Sequence, residues 1–408
     1  MPRFSKRFYC LLALVIAVSI LVKCTDNKQL IADPRGPEYA GAASCRTCHQ
    51  AVYDSFLLTS HQAATSTADL AHISGTFEEG KNVFSFNGNQ QVKMERRGSK
   101  LFQVLYVDGL EKEAHPFDIG FGKKNAQTWL YWKGNNTYQL PVSYYTTVNN
   151  WGTSPGYSLQ FPSFDRLIGR NCFECHSSNI GFLHSSDTNR PANSTPAIRE
   201  AMDRKTFIAG IDCERCHGPS AQHVRFHTTN PGQLQGRFIT RIMAMSRQQQ
   251  LDACALCHAG NDRVKLRTRF DFHPGDTLTR FLGTPLDTII KTEPDVHGNQ
   301  YGLLIESRCF TQSLQLTCNT CHDPHRDTPG NLALYSSKCL GCHQQGTPSF
   351  CKETTTPAAV LVKNCIDCHM PNQPSSAISF YMSGFTQRNS YYLRTHKIGV
   401  YWREDVKK

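Results

Sequence analysis

A chain of 408 residues is long enough to bury an ordinary core, so its 18 cysteines are not needed as the disulfide frame of a small secreted domain. The formal net charge of +11 is not gathered into Arg/Lys blocks, and no nucleic-acid fold motif is present, which sets nucleic acid aside as a partner.

The chain opens with Arg3, Lys6 and Arg7, followed by an apolar run from Leu11 to Val22 broken only by Ser19. That run is shorter than the roughly 20 residues of a membrane span and has the form of a signal-peptide core. Residues 1–24 are therefore read as an export signal. Cys24 follows Leu21-Val22-Lys23, and three readings stand: lipidation of Cys24, simple cleavage, or an uncleaved anchor. Lys23 departs from the small residue usual before a lipidated cysteine. All three readings place the rest of the chain in the periplasm or at the outer cell surface.

Residues 25–64 carry a first Cys-x-x-Cys-His motif, Cys45, Cys48 and His49, then a predicted helix from Ala51 to Ser60 with Val52, Phe56 and Leu57 on one face. Residues 65–170 carry none. Asn82–Phe86, Gln91–Glu95 and Leu101–Asp108 alternate β-branched and aromatic residues between Gly-containing turns, and Trp129–Trp132 and Tyr138–Tyr145 continue that texture. This stretch is predicted to be a β-rich insertion packed on the remainder. Residues 171–408 hold six further motifs: Cys172, Cys175 and His176; Cys213, Cys216 and His217; Cys254, Cys257 and His258; Cys318, Cys321 and His322; Cys339, Cys342 and His343; Cys365, Cys368 and His369. A helix is expected over Arg247–Cys257, and Ser185–Pro196 and Thr354–Pro357 are turn-rich. The expected fold class is mainly α with much irregular structure, interrupted by the β-rich insertion.

Two thiols separated by two residues can each form a thioether to one vinyl edge of a porphyrin, and the His after the second Cys then meets the iron. Zinc and redox Cys-x-x-Cys pairs require no such His at every occurrence. Seven motifs therefore imply seven covalently bound haems c. Their propionates also account for much of the basic balance.

The sixth ligand of each iron separates conduction from catalysis. Ten histidines lie outside the motifs, enough to make every haem bis-histidine. Met370 is too constrained by His369 to reach the opposite face of that haem. His61 ends the first predicted helix. His325 and His223 follow motifs closely and are expected to serve neighbouring haems; His297 and His396 lie near Tyr301 and Tyr401. His72 and His227 complete the candidate set of seven, while His115, His184 and His273 read as ordinary packing or surface residues. Cys309 and Cys351 flank two motifs and are expected to pair in an oxidising compartment.

The segments Ser44–His61, Gly210–His223, Cys318–His325 and Cys365–Pro371 resemble an exported multihaem cytochrome c family that includes the tetrahaem cytochrome of ammonia oxidisers and is related to hydroxylamine oxidoreductase and pentahaem nitrite reductase. The stretch from Phe117 to Cys172 is similar to less characterised exported members. The resemblance covers most of the chain after Tyr39. It implies closely stacked haem pairs and axial roles for His61, His223, His297, His325 and His396, but no particular activity. The expected role is electron transfer with a membrane quinol-oxidising donor or other cytochromes. The rival is an oxidoreductase acting on a small nitrogen or sulfur compound at one open-site haem. The nitrite-reductase relatives carry Cys-x-x-Cys-Lys at that haem, and this chain has no such motif.

Overall fold

The computed structural model describes residues 33–69, 71–183, 200–285 and 294–401. The expected export signal with Cys24, and His184, lie outside them.

Eleven strands fall between Thr65 and Ile168, and they form two antiparallel sheets. In chain order they are β1 (Thr65–Thr67), β2 (Val83–Ser85), β3 (Gln90–Arg97), β4 (Lys100–Val107), β5 (Leu110–Pro116), β6 (Ile119–Phe121), β7 (Ala126–Lys133), β8 (Asn136–Gln139), β9 (Val142–Tyr145), β10 (Asn150–Thr153) and β11 (Leu167–Ile168). β2-β3-β4-β5 make a four-stranded meander, while the second sheet runs β1-β6-β7-β8-β11, with β9 also on β7 and β10 on β9. The turn from β4 to β5 is made by Asp108 and Gly109, both at positive φ (50° and 76°), the two-residue hairpin geometry that an Asp-Gly pair favours.

Alternation along these strands turns one side of each sheet into a shared core. Phe84, Val92, Met94, Leu101, Phe117, Trp129, Leu140 and Trp151 are all buried there. Two close approaches fix the indoles. A Cβ on Gly75 would stand 2.3 Å from the Trp151 ring, and one on Gly120 would stand 2.6 Å from Trp129.

The described residues correct the expectation of a mainly α protein: about 27% of them are helix and about 27% strand. Two hairpins lie between motifs, β12 (Ser177–Phe182) with β13 (Met202–Ala209) and β14 (Arg263–Lys265) with β15 (Leu282–Pro285), and a third, β16 (Asn372–Tyr381) with β17 (Arg388–Arg394), follows the last motif. Segments such as Phe207-Ile208 and Ile378-Ser379-Phe380-Tyr381 carry the β-branched and aromatic residues that suit a pleated surface. The helices, by contrast, are cut short where each motif turns away. No helix among the described residues is long and apolar enough to cross a membrane.

The strands are joined to the motif segments by specific contacts. Thr65 Oγ1 donates to the His176 carbonyl at 2.8 Å and accepts from Gly210 N at 2.7 Å. Phe121 at the end of β6 stacks on the His176 ring, centroids 4.9 Å apart and planes 2° apart. Tyr145 stacks on Phe380 at 3.7 Å. Lys124 pairs with Asp327, which also accepts from Ser60.

Candidate haem-attachment sites

In each motif the two cysteines are three residues apart. A helical turn brings such residues to one face, as two thioethers to one porphyrin edge require. The helices Arg170–His176, Cys213–His217, Arg247–His258 and Ile366–His369 all end on the motif histidine. In the fifth and sixth motifs His322 N and His343 N each bond the carbonyl of the first cysteine at 2.9 Å, so those chains also turn once. The first motif starts at Cys45, the N-cap of the helix Arg46–Phe56, which breaks at His49 (φ −118°, ψ 37°). That helix begins earlier than the sequence predicts and leaves Val52 and Leu57 exposed on its apolar side. A cleft of about 310 Å³ lies beside it, lined by Tyr53, Phe56, Leu57, Ile208 and Cys213.

Local sequence explains how some motifs are held. Asp212 caps the helix Cys213–His217 by accepting from Arg215 N at 2.9 Å, and Ser246 with Gln249 forms a capping box on Arg247–His258. Arg35 clamps the first and third motif segments by donating to Asp33, Asp212 and Glu214 at 2.7–3.1 Å. Glu214 also accepts from Ala40 N and Gly41 N.

The histidines outside the motifs meet those inside them. His223 stands opposite His49 with ring centroids 6.3 Å apart, His61 opposite His258 at 6.2 Å, His325 opposite His217 at 5.9 Å, and His396 opposite His322 at 6.0 Å. Two imidazole nitrogens bound at about 2 Å on opposite sides of one iron put their ring centres about 6 Å apart. These four pairs therefore fit a hexacoordinate haem iron. Three have near-parallel rings (15°, 13° and 25°); His61 and His258 are nearly perpendicular at 81°. His297 acts electrostatically on His176, the motif histidine of the second site.

Protonation and tautomer fit the same group. Burial, and then the neighbouring His258, lowers His61 to about 4; burial, and then His322, lowers His396 to about 4; burial lowers His176 to about 4. His217, His297 and His322 are also pushed down by burial. These rings are neutral near pH 7, the form that binds metal. Nδ1 of His217, His223, His343 and His369 donates to the carbonyls of Thr240 (2.9 Å), Arg237 (2.7 Å), Ser349 (2.6 Å) and Gly399 (2.6 Å). That fixes the tautomer with Nε2 free to face an iron.

Cysteines of different motifs also touch. Side-chain contacts link Cys45 to Cys213, Cys175 to Cys257, Cys254 to Cys318, and Cys339 to Cys365. Cys216 lies within electrostatic reach of Cys257, and Cys321 of Cys339. The attachment sites thus form a continuous series: first, third, fourth, fifth, sixth and seventh, with the second meeting the fourth. Cys48, Cys172, Cys216, Cys342 and Cys368 are exposed, and the other motif cysteines are half-buried.

Other candidates stand apart from the motif rings. His72 is exposed and paired with Asp69 at 2.8 Å. His227 lies against His223 rather than a motif histidine, and its Nε2 accepts from Arg237 N at 3.3 Å. His115 stacks on Tyr131 and Phe164. The disulfide expected between Cys309 and Cys351 is not formed, and both thiols are free. Among the described residues no three Cys, His, Asp or Glu side chains gather into a metal cluster, so the Cys-x-x-Cys pairs do not converge on the four-ligand geometry of zinc.

The residues inside the motifs were not singled out by sequence reasoning, yet Glu174, Glu214 and Arg215 all make buried polar contacts. The Asp-Cys-Glu-Arg-Cys-His string carries a capping signal in Asp212 that could have located one of them. The carbonyls that orient the histidines leave no side-chain signal.

No protein-family model matches the chain. Over 166 residues it is 24% identical to the multihaem cytochrome MtrA of Shewanella baltica, a match covering 36% of this chain and 47% of that protein. The chain thus spans about half the length of this curated relative. Among solved structures it is similar to the outer cell wall cytochrome OcwA (16% identity, 85% of this chain and 79% of that one, TM-score 0.49). It is also similar to the undecahaem cytochrome from the S-layer of Carboxydothermus ferrireducens (17% identity, 76% and 43%, TM-score 0.37). The proteins this chain is similar to are cytochromes, MtrA and the S-layer protein being multihaem by description.

Proposed function

We propose that the chain is an exported c-type cytochrome that carries seven covalently attached haems and transfers electrons in the periplasm or at the cell surface. The observation that carries this reading is the set of four cross-motif histidine pairs at 5.9–6.3 Å, each joining a motif histidine to one outside the motifs. Bound haem would supply one-electron redox chemistry at iron; two histidine ligands leave that iron no position for a substrate. The chain's own part is to attach, orient and shield. The fourteen motif cysteines hold the porphyrins, His49, His176, His217, His258, His322, His343 and His369 bind from one side, and His223, His297, His325, His61 and His396 bind from the other. Redox partners are a membrane quinol-oxidising donor or other cytochromes, and Cys24 lipidation is one route to a membrane surface.

The oxidoreductase reading retains one supporting observation. Among the described residues no second imidazole ring stands opposite His343 or His369. One measurement separates the two. Pyridine haemochrome analysis and intact mass should give seven haems per chain, with low-spin spectra unreactive to cyanide and carbon monoxide. A high-spin fraction near one haem in seven that binds either ligand would transfer the assignment to catalysis, and fewer attached haems would overturn the count.

A further inference from the structure

The fourth attachment site is the junction of the series. Its Cys254 meets the fifth motif, its Cys257 meets the second, and Cys216 of the third lies close to both. A buried ionic cluster is lodged against this junction. Glu174, inside the second motif, is fully buried. Its carboxylate accepts from Thr268 Oγ1 at 2.6 Å and pairs with Lys265 at 3.4 Å and Arg269 at 3.6 Å. Its backbone carbonyl accepts from Arg215 at 3.2 Å and lies 4.0 Å from Cys257 Sγ. Arg215 packs over the Phe270 ring at 5.3 Å, and Arg269 is 5% exposed. Both guanidiniums act electrostatically on Cys175 and Cys257.

Two features make this more than an ordinary salt bridge. Lys265 and Arg269 face the carboxylate of Glu174 and Arg215 faces its backbone carbonyl, so three cations surround one anion. Arg215 Nε and Arg269 Nε have no hydrogen-bond partner, and Glu174 Oε2 is held by the ion pair with Arg269 at 3.6 Å without a hydrogen bond. A residual positive field in a low-dielectric interior favours the reduced state of a neighbouring one-electron centre, because reduction places negative charge there.

We infer that Glu174, Arg269, Arg215 and Lys265 form a potential-setting cluster that makes the fourth haem site the electron-collecting point where the second site joins the main series. The inference rests on the proposed haem reading. These residues touch no iron ligand; they are positioning residues acting through charge.

The test uses the full, exported, haem-loaded protein. The perpendicular His61–His258 pair gives the fourth site its own label, because crossed imidazole planes leave two iron d orbitals nearly degenerate and produce a strongly anisotropic low-spin EPR signal. Redox titration followed at that signal is compared for wild type, Glu174→Gln, Arg269→Gln and Thr268→Val. Glu174→Gln should move the midpoint of that signal upward, Arg269→Gln downward, and Thr268→Val downward by less. The signals of near-parallel sites should stay in place. Shifts of the same sign in both charge variants, or no shift, would overturn the cluster's role; Thr268→Val keeps the test decisive if a charge variant does not fold. A haem count below seven in the wild type would instead refute the reading beneath it.

Discussion

Between Phe84 and Phe164, fourteen buried apolar side chains form one cluster, with Trp129 and Trp151 at its centre. From Ile305 to Cys365 the chain carries two complete motifs and the first cysteine of a third, and not one apolar side chain is buried. Only Ser307, Thr317 and Ser336 are buried there. The strand layers are held by their own side chains, through the burial that stabilises any sheet pair. The second segment has no such interior, and a chain of that length cannot fold on turns alone. Porphyrin faces are what would complete it.

The comparison can be broken most severely by withholding the cofactor. In protein prepared without haem attachment, amide exchange across residues 305–365 should become unprotected while residues 83–164 keep slow exchange. Equal protection in the two regions would remove the distinction. Next in size, Trp129→Ala should cost about 3–5 kcal/mol in the strand layers, since it empties a fully buried site. Urea unfolding followed by circular dichroism reads this, and the haem bands of the folded fraction should not move.

Gly210→Ala tests the seam between the regions. Gly210 has φ +70°, and a Cβ there would lie 2.2 Å from the Gln62 carbonyl oxygen. A cost of about 1–3 kcal/mol is expected from the backbone alone, with the adjacent His61–His258 pair disturbed. Thermal unfolding and the anisotropic EPR signal report the two effects separately.

Acid should act on the motif segments first. His61, His176 and His396 are held near 4 in the fold against an ordinary value of 6.5. The unfolded chain therefore binds protons that the fold refuses, so their contribution is complete above about pH 6.5 and is lost as pH falls toward 4. Exchange measured over that range should rise around these rings before it rises in the strand layers. The smallest effect belongs to His72→Ala. This exposed ring pairs only with Asp69, so stability should change by less than about 0.5 kcal/mol and the haem spectrum not at all.

Local periodicity made the strand layers legible: the predicted strand Leu101–Asp108 is found at Lys100–Val107, and the helix expected over Arg247–Cys257 spans Arg247–His258. The motifs were legible for a different reason, because thioether chemistry fixes their spacing. The hairpins β12–β13 and β16–β17 were not, since the motif-bearing part was expected to be mainly α with much irregular structure. Which histidine faces which motif was also hidden. His223 stands just after the third motif in sequence, yet its ring faces His49, and nothing local to either residue encodes that. Glu174 and Arg269 are far apart in sequence and acquire meaning only when the fold brings them together.

The cross-motif pairs have a consequence for how the molecule is made. His49 waits for His223, His217 for His325, His258 reaches back to His61, and His322 needs His396. As the chain is made N-terminus first, only the fourth-motif pair of these four is finished the moment its own motif appears. The others stay half-built through long stretches of synthesis, and the fifth is completed almost at the last residue described. A chain released early would therefore fail as a set of open, reactive sites rather than as a shorter conductor, and a cell has reason to hold it until its tail has arrived.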